Sequence, residues 1–326
     1  MNNKREEGTA MASSDTPEVS VIMGVYNQKN QIELEEAVNS ILVQSFSDFE
    51  FIIYDDGSDS DAAGYLQQVA STDSRIRLIR DEDNRGLAYS LNRCIDEARG
   101  RFLARMDADD ISKMERLEKQ VAFLKAHPEY GWVGTNAVVF ENETPWGTQI
   151  MAPEPNQYNF LPFSPFVHPS VMFRREIFEE NIAYHVAPET TRCEDYELFL
   201  RLYESGLRGY NIQESLYYYR QSSASFKKRT MKTRLNEAKI RREYFPNLDV
   251  PTTKKIVYTL RPVVTGLIPY RMIALYKKQR LRRLNRGDGR AEVVRKDLAA
   301  YIDRLYRMDT DKRKEGRNTE ALLSGS

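Results

Sequence analysis

The chain has 326 residues, with 48 Lys or Arg against 48 Asp or Glu, and 41% of it is apolar with 11% aromatic. That apolar content excludes general disorder, and the length suits one large domain or two ordinary ones. Two cysteines are too few for a disulfide framework or a zinc cluster and fit a reduced, cytoplasmic setting. The zero net charge hides an asymmetry. Between Lys227 and Arg290 there are 19 Lys or Arg against 4 Asp or Glu, a local net of +15. The pattern predicts an acidic body with a basic appendage facing phosphates or anionic lipid.

Residues 1–17 are polar, which predicts a disordered tail and no signal peptide. VSVIMGVYN (19–27) is a short β-branched run of the kind that forms a buried parallel strand. ELEEAVNSILVQS (33–45) places Leu34, Ala37, Val38, Ile41 and Leu42 on one helical face. FEFIIYDDGS (49–58) reads as a second strand, followed by a helix near 60–71, a strand at 75–81 and a helix at 85–98. GRFLARMDADD (100–110) is one more strand, running into carboxylates. This alternation predicts an α/β fold, with ligands outside the carboxyl ends of the strands. Asn27, Asp55, Asp56, Asp107, Asp109 and Asp110 all fall at such ends. A helix at 115–127, a strand at 131–140, a strand-to-helix segment at 165–180 and a helix at 193–206 follow. LYYYRQSSASFKKR (216–229) is expected to leave the body for a helical, basic region over 227–308, with a disordered tail at 309–326. The most apolar stretch, 256–276, is interrupted by Arg261, Pro262, Pro269 and Arg271, so no membrane span is expected.

Three aspartates within four positions, Asp107, Asp109 and Asp110, admit two readings. They could cap the helix that follows, or hold Mn2+ or Mg2+ against a substrate diphosphate. An EF-hand is a poor alternative because Ser112 stands where its glycine should be. Asp55 and Asp56 could form a simple turn, or could accept hydrogen bonds from a nucleoside. No G-x-G-x-x-G follows the first strand, which argues against a dinucleotide-binding dehydrogenase.

Five segments occur in the order of the family-2 glycosyltransferases, which have the GT-A fold: VSVIMGVYN, SILVQSFSDFEFIIYDDGS, NRGLAYSLNRCIDEARGRFLARMDADD, HPSVMFRREIF and CEDYELFLRL. The chain resembles that family over residues 18–226. The resemblance implies a Rossmann-like mixed sheet with flanking helices that binds a nucleotide-sugar. It implies that Asp55 and Asp56 hold the uracil or ribose, with Val25, Tyr26 and Asn27 against the nucleotide and Arg85 near the base or diphosphate. Asp107, Ala108 and Asp109 match the Asp-x-Asp motif and Asp110 the second acid of its doublet. Glu194 and Asp195 match the acidic pair at the catalytic helix, with Asp195 as general base. His168 would lie on the acceptor side. Tyr219-Arg220 matches a segment in which many members carry a histidine two residues on. Ser222 occupies that position here, leaving Arg220 as a phosphate contact.

Together these readings predict a metal-dependent, inverting transfer of sugar from a UDP-sugar to a glycan or lipid-linked acceptor. The competing expectation is a non-catalytic nucleotide-sugar-binding scaffold. The basic region 227–290 is expected to touch the cytoplasmic face of a membrane rather than nucleic acid, since no nucleic-acid module accompanies it.

Overall fold

The computed structural model describes residues 16–179, 182–284 and 294–307. The expected tails at 1–17 and 309–326 lie outside the described residues, apart from 16 and 17.

The first half alternates strictly: β1 (Val19–Val25), α1 (Gln31–Leu42), β2 (Phe49–Asp56), α2 (Ser60–Ala70), β3 (Ile76–Asp81), α3 (Leu87–Glu97) and β4 (Phe102–Arg105). Then follow β5 (Ile111–Ser112), α4 (Arg116–Ala126), β6 (Trp132–Glu141), β7 (Thr144–Gln149), α5 (Gln157–Phe160), β8 (Met172–Arg174), α6 (Glu176–Glu179), α7 (Glu194–Glu204) and β9 (Gly209–Arg220). The chain closes with α8 (Met231–Tyr244), α9 (Thr252–Gly266), α10 (Tyr270–Leu284) and a helical stretch over 294–307.

Among the described residues the nine strands form one mixed sheet in the order β3-β2-β1-β4-β8-β6-β9-β5, with β7 paired to β6. β1 runs parallel to β2 and β4, and β2 to β3, while β8 is antiparallel to β4 and β6. Both faces of the parallel half are covered. Val21, Met23, Phe51 and Ile53 pack with α1, whereas Ile22, Ile52 and Tyr54 pack with Leu91 and Cys94 of α3. That two-sided burial is why these strands read as continuous apolar runs. The expected α/β class therefore stands, as a curled mixed sheet with flanking helices.

The strands end earlier than the apolar runs suggest. β1, β2 and β4 stop at Val25, Asp56 and Arg105, so Asn27, Gly57 and the three aspartates lie in connections. A larger difference concerns residues 216–220. They do not leave the body but complete β9, which pairs in parallel with β6 over most of its length and holds β5 at its end.

The C-terminal helices differ in how they attach. α8 is tied down by Tyr244, whose hydroxyl donates to Glu197 Oε1 (2.7 Å), and by buried Arg241, whose guanidinium donates to Leu161 O (2.5 Å). Leu298, Ile302 and Leu305 of the last helical stretch pack on Ile111, Val138, Phe140 and Tyr218. α9 and α10 bury little beyond Pro262, Ala274 and Leu281.

Candidate active site

The loops at the carboxyl ends of β1 and β2 are interlocked. Asn27 adopts φ 46°, a left-handed conformation that asparagine tolerates; its amide donates to Ser58 Oγ (2.9 Å) and its side chain accepts from Asp59 N (2.9 Å). Asp55 is buried and accepts from Ser58 N (3.0 Å), with Arg80 Nε at 3.5 Å. Asp56 accepts from the amides of Arg85 (2.9 Å) and Gly86 (2.7 Å), fixing the loop that opens α3. Gly57 (φ 73°) lets that loop approach, since a Cβ there would lie 2.6 Å from the carbonyl carbon of Asp83. The Arg85 guanidinium donates to Tyr89 Oη (3.0 Å) and lies 3.5 Å from Asp81.

These loops border a cleft of about 680 Å³. It brings together Val25, Tyr26, Asp56 and Arg85 with Thr190, Arg192 and Glu194. Tyr26 is 53% exposed and free to stack on a planar ligand. Asn27, Asp55, Ala108, the aspartate triplet, Asp195, His168 and Arg220 lie outside its walls. The triplet is joined to the loop after β1 by Gln28, whose Nε2 donates to Ala108 O (3.3 Å).

The aspartates do not cap α4. Its N-cap is Glu115, and no side chain accepts there. Instead one oxygen from each of Asp107, Asp109 and Asp110 lies within 4.8 Å of the others. Asp110 is buried; its Oδ1 accepts from Arg220 N (2.6 Å), and its Oδ2 has no hydrogen-bond partner. A buried carboxylate oxygen without a donor is an energetic debt that a cation would cancel. Desolvation, with the charges of Asp107 and Glu33, pushes Asp109 up to about 6. Burial and the charges of Asp109 and Asp107 raise Asp110 well above the ordinary carboxylate range. The residues present thus fit a hard divalent ion.

Two arginines support this cluster that the sequence reading did not single out. Arg105, the last residue of β4, is buried with Nη1 2.7 Å from Asp107 Oδ2. Burial opposes its charge, but Asp107 outweighs that and holds its pKa above the usual arginine value. Its Nε has no hydrogen-bond partner. Arg116, buried at the start of α4, donates to the Arg105 carbonyl (2.6 Å); burial first, and then the Arg105 charge, lower it to about 10. The signal available was a pair of arginines flanking an apolar strand and its acidic loop, where a surface role is the usual reading.

Arg220 is turned toward the body. Its Nε donates to Asp109 O (2.6 Å) and its guanidinium pairs with buried Glu36, so it braces the aspartate loop from behind. His168 is buried against Tyr184, its Nε2 2.7 Å from the hydroxyl, and burial with the Arg105 charge holds it well below the usual histidine range. Its ring packs near those of Tyr184 and Phe199.

Glu194 and Asp195 open α7, whose N-cap Cys193 makes no side-chain cap. Glu194 accepts from Arg192 N (3.0 Å), a residue held at φ 69°. Asp195 is raised by burial, an effect opposed by the charges of Arg229 and Arg105 and by hydrogen bonds from Tyr196 N and Ser164. Arg105 therefore acts electrostatically on the triplet and on Asp195 at once. The arrangement offers three clustered carboxylates that could hold a cation, a cleft nearby, and two desolvated carboxylates, Glu194 and Asp195, at the start of α7.

Comparison with known proteins follows the same lines. The chain is 37% identical over 274 residues to the glycosyltransferase EpsE of Bacillus subtilis, covering 84% of this chain and 97% of that one. Residues 1–349 of Staphylococcus aureus TarS, solved with UDP-GlcNAc, superpose with a TM-score of 0.56 at 17% identity, covering 92% of each chain. The mannosyltransferase PcManGT of Pyrobaculum calidifontis, solved with GDP-Man and Mn2+, gives 0.56 at 18% identity, over 92% of this chain and 84% of that one. These two structures share the fold. The model of Glycosyl transferase family 2 matches residues 20–182. With the strand-end carboxylates and the acidic start of α7 in the family's order, the chain belongs to the family-2 glycosyltransferases and is a glycosyltransferase.

Proposed function

We propose that the protein is a metal-dependent, inverting glycosyltransferase. It moves a sugar from a UDP-sugar to a hydroxyl of a glycan or lipid-linked acceptor in polysaccharide assembly, at the cytoplasmic side of a membrane. The observation that carries this reading is the unbonded, buried Oδ2 of Asp110 inside a carboxylate triplet beside the cleft. The UDP-GlcNAc in the TarS structure and the GDP-Man and Mn2+ in the PcManGT structure support the donor class and the metal.

Asp107, Asp109 and Asp110 would hold Mn2+ or Mg2+, which supplies positive charge to the donor diphosphate as it departs. Tyr26 and the Val25–Asn27 turn receive the nucleotide, while Asp56 keeps the Arg85–Gly86 loop in place beneath it. Asp195 takes the proton from the acceptor hydroxyl as that oxygen attacks the anomeric carbon. Burial makes it more basic than a solvent-facing aspartate, which suits that task. One base and one displacement invert the anomeric centre without a covalent sugar–enzyme intermediate. Glu194 fixes the turn before α7 through Arg192 N and so sets where Asp195 points.

The test is calorimetry of UDP binding with and without Mn2+. Tighter binding with the metal is expected; equal affinity in both buffers would remove the triplet from the donor site.

A further inference from the structure

Helices α9 and α10 carry nine Lys or Arg and no Asp or Glu between Thr252 and Leu284. Val257, Leu260, Val264 and Leu267 are all exposed and recur at spacings of 3, 4 and 3, which places them on one face. Leu267 is 74% exposed, and Met272 and Leu275 of α10 are exposed as well. A run of large exposed apolar side chains on adjacent helices is unusual for a surface meant for water alone.

We propose that this face seats the protein on an anionic bilayer, its apolar side chains among the outer acyl carbons and its cations among the headgroup phosphates. The inference rests on the glycosyltransferase reading above and names the surface from which a lipid-linked acceptor arrives. Charge selects the occupant. A second copy would press one acid-free, cationic face against another, whereas an anionic headgroup layer complements it. Long Lys and Arg stems lie along apolar surface and lift their charges to the phosphate level, so cations interleaved with leucine and valine suit an interface. The inner side of α10 packs on the body, where Leu281 is buried with Val139 and Trp146. Lys277 Nζ lies 5.9 Å from the Phe226 ring.

Flotation of the full chain with lipid vesicles tests this. Vesicles of roughly one-third phosphatidylglycerol in phosphatidylcholine should carry the protein upward at least about tenfold more than phosphatidylcholine alone, and added salt should reduce the effect. The triple variant Val257→Glu, Leu260→Glu, Val264→Glu should lose flotation while keeping Mn2+-dependent UDP binding. A single Leu267→Trp variant gives a second reading, because both native tryptophans are buried. The fluorescence of the introduced indole should shift to the blue on anionic vesicles. Flotation unchanged in the triple variant, an unshifted emission in the Leu267→Trp variant, or a dimer in solution that the triple variant dissolves would each overturn the proposal. UDP calorimetry without lipid reports on the donor site separately, so loss of membrane binding and loss of the enzymatic reading are told apart.

Discussion

Strand β2 and helix α9 are organised in opposite ways. Every one of the eight residues of β2 is buried, whereas among the fifteen of α9 only Pro262 is. The strand finds all its partners inside the chain, and its last carboxylates are held by neighbouring backbone. The helix keeps Val257, Leu260 and Val264 exposed and carries three cations and no acid. The α/β body is thus energetically closed, and α9–α10 are open to something beyond the chain. The proposed functions divide along the same line, with chemistry in the closed part and docking in the open one.

The sharpest probe of the closed part is Asp195→Asn. Removing the base should lower turnover by about a thousandfold while UDP affinity changes little. A parallel loss of UDP binding would place Asp195 in the donor pocket instead. Next comes stability. Phe51→Ala, in the middle of β2, should destabilise the protein by about 3–5 kcal/mol, whereas Leu260→Ala on α9 should stay within about 0.5 kcal/mol in chemical denaturation. A large loss at Leu260 would break the contrast between the two regions. Changing Asp109 and Asp110 together to Asn should abolish the Mn2+ dependence of UDP binding, and affinity in Mn2+ should fall by about a hundredfold.

The smallest effect is a pH dependence. Asp109 is pushed up to about 6 from an ordinary 3.8, so without metal the folded protein holds that proton more tightly than the unfolded chain. The stability this confers is present below pH 3.8 and is lost as pH rises through about 6. Asp109→Asn should therefore melt above the wild type at neutral pH, and the gap should close toward pH 4, measured by thermal denaturation in chelator. A constant gap across that range would mean that Asp109 is not raised.

Much of the closed part was legible because parallel strands buried on both faces write themselves as apolar runs. Phe49–Asp56 and Val19–Val25 needed only that rule, and the carboxylates beyond them marked the site. β9 was harder. Its partner β6 lies far away in sequence, and LYYYRQ gave no local sign that it completes the sheet rather than leaving it. The aspartates were visible but their roles were not, since the cap and cation readings differ only in where α4 begins and what Asp110 touches. Arg105, Arg116 and Glu36 were overlooked for a related reason. A charged residue is read as solvent-facing unless its counter-charge is known, and theirs come from other elements. His168 shows the reverse: its buried partner Tyr184 comes from a segment that no local pattern joins to it.

The arginine at the end of β4 has a consequence in time as well as in energy. With one guanidinium built in beside Asp107, the carboxylates do not have to splay apart while the site awaits its ion and donor. Capture should then need no prior ordering of the loop. Stopped-flow mixing with a fluorescent UDP analogue and Mn2+ would show a single phase whose rate grows linearly with concentration, and Arg105→Gln would add a slow, concentration-independent phase. The buried charge, on this view, sets the pace of encounter.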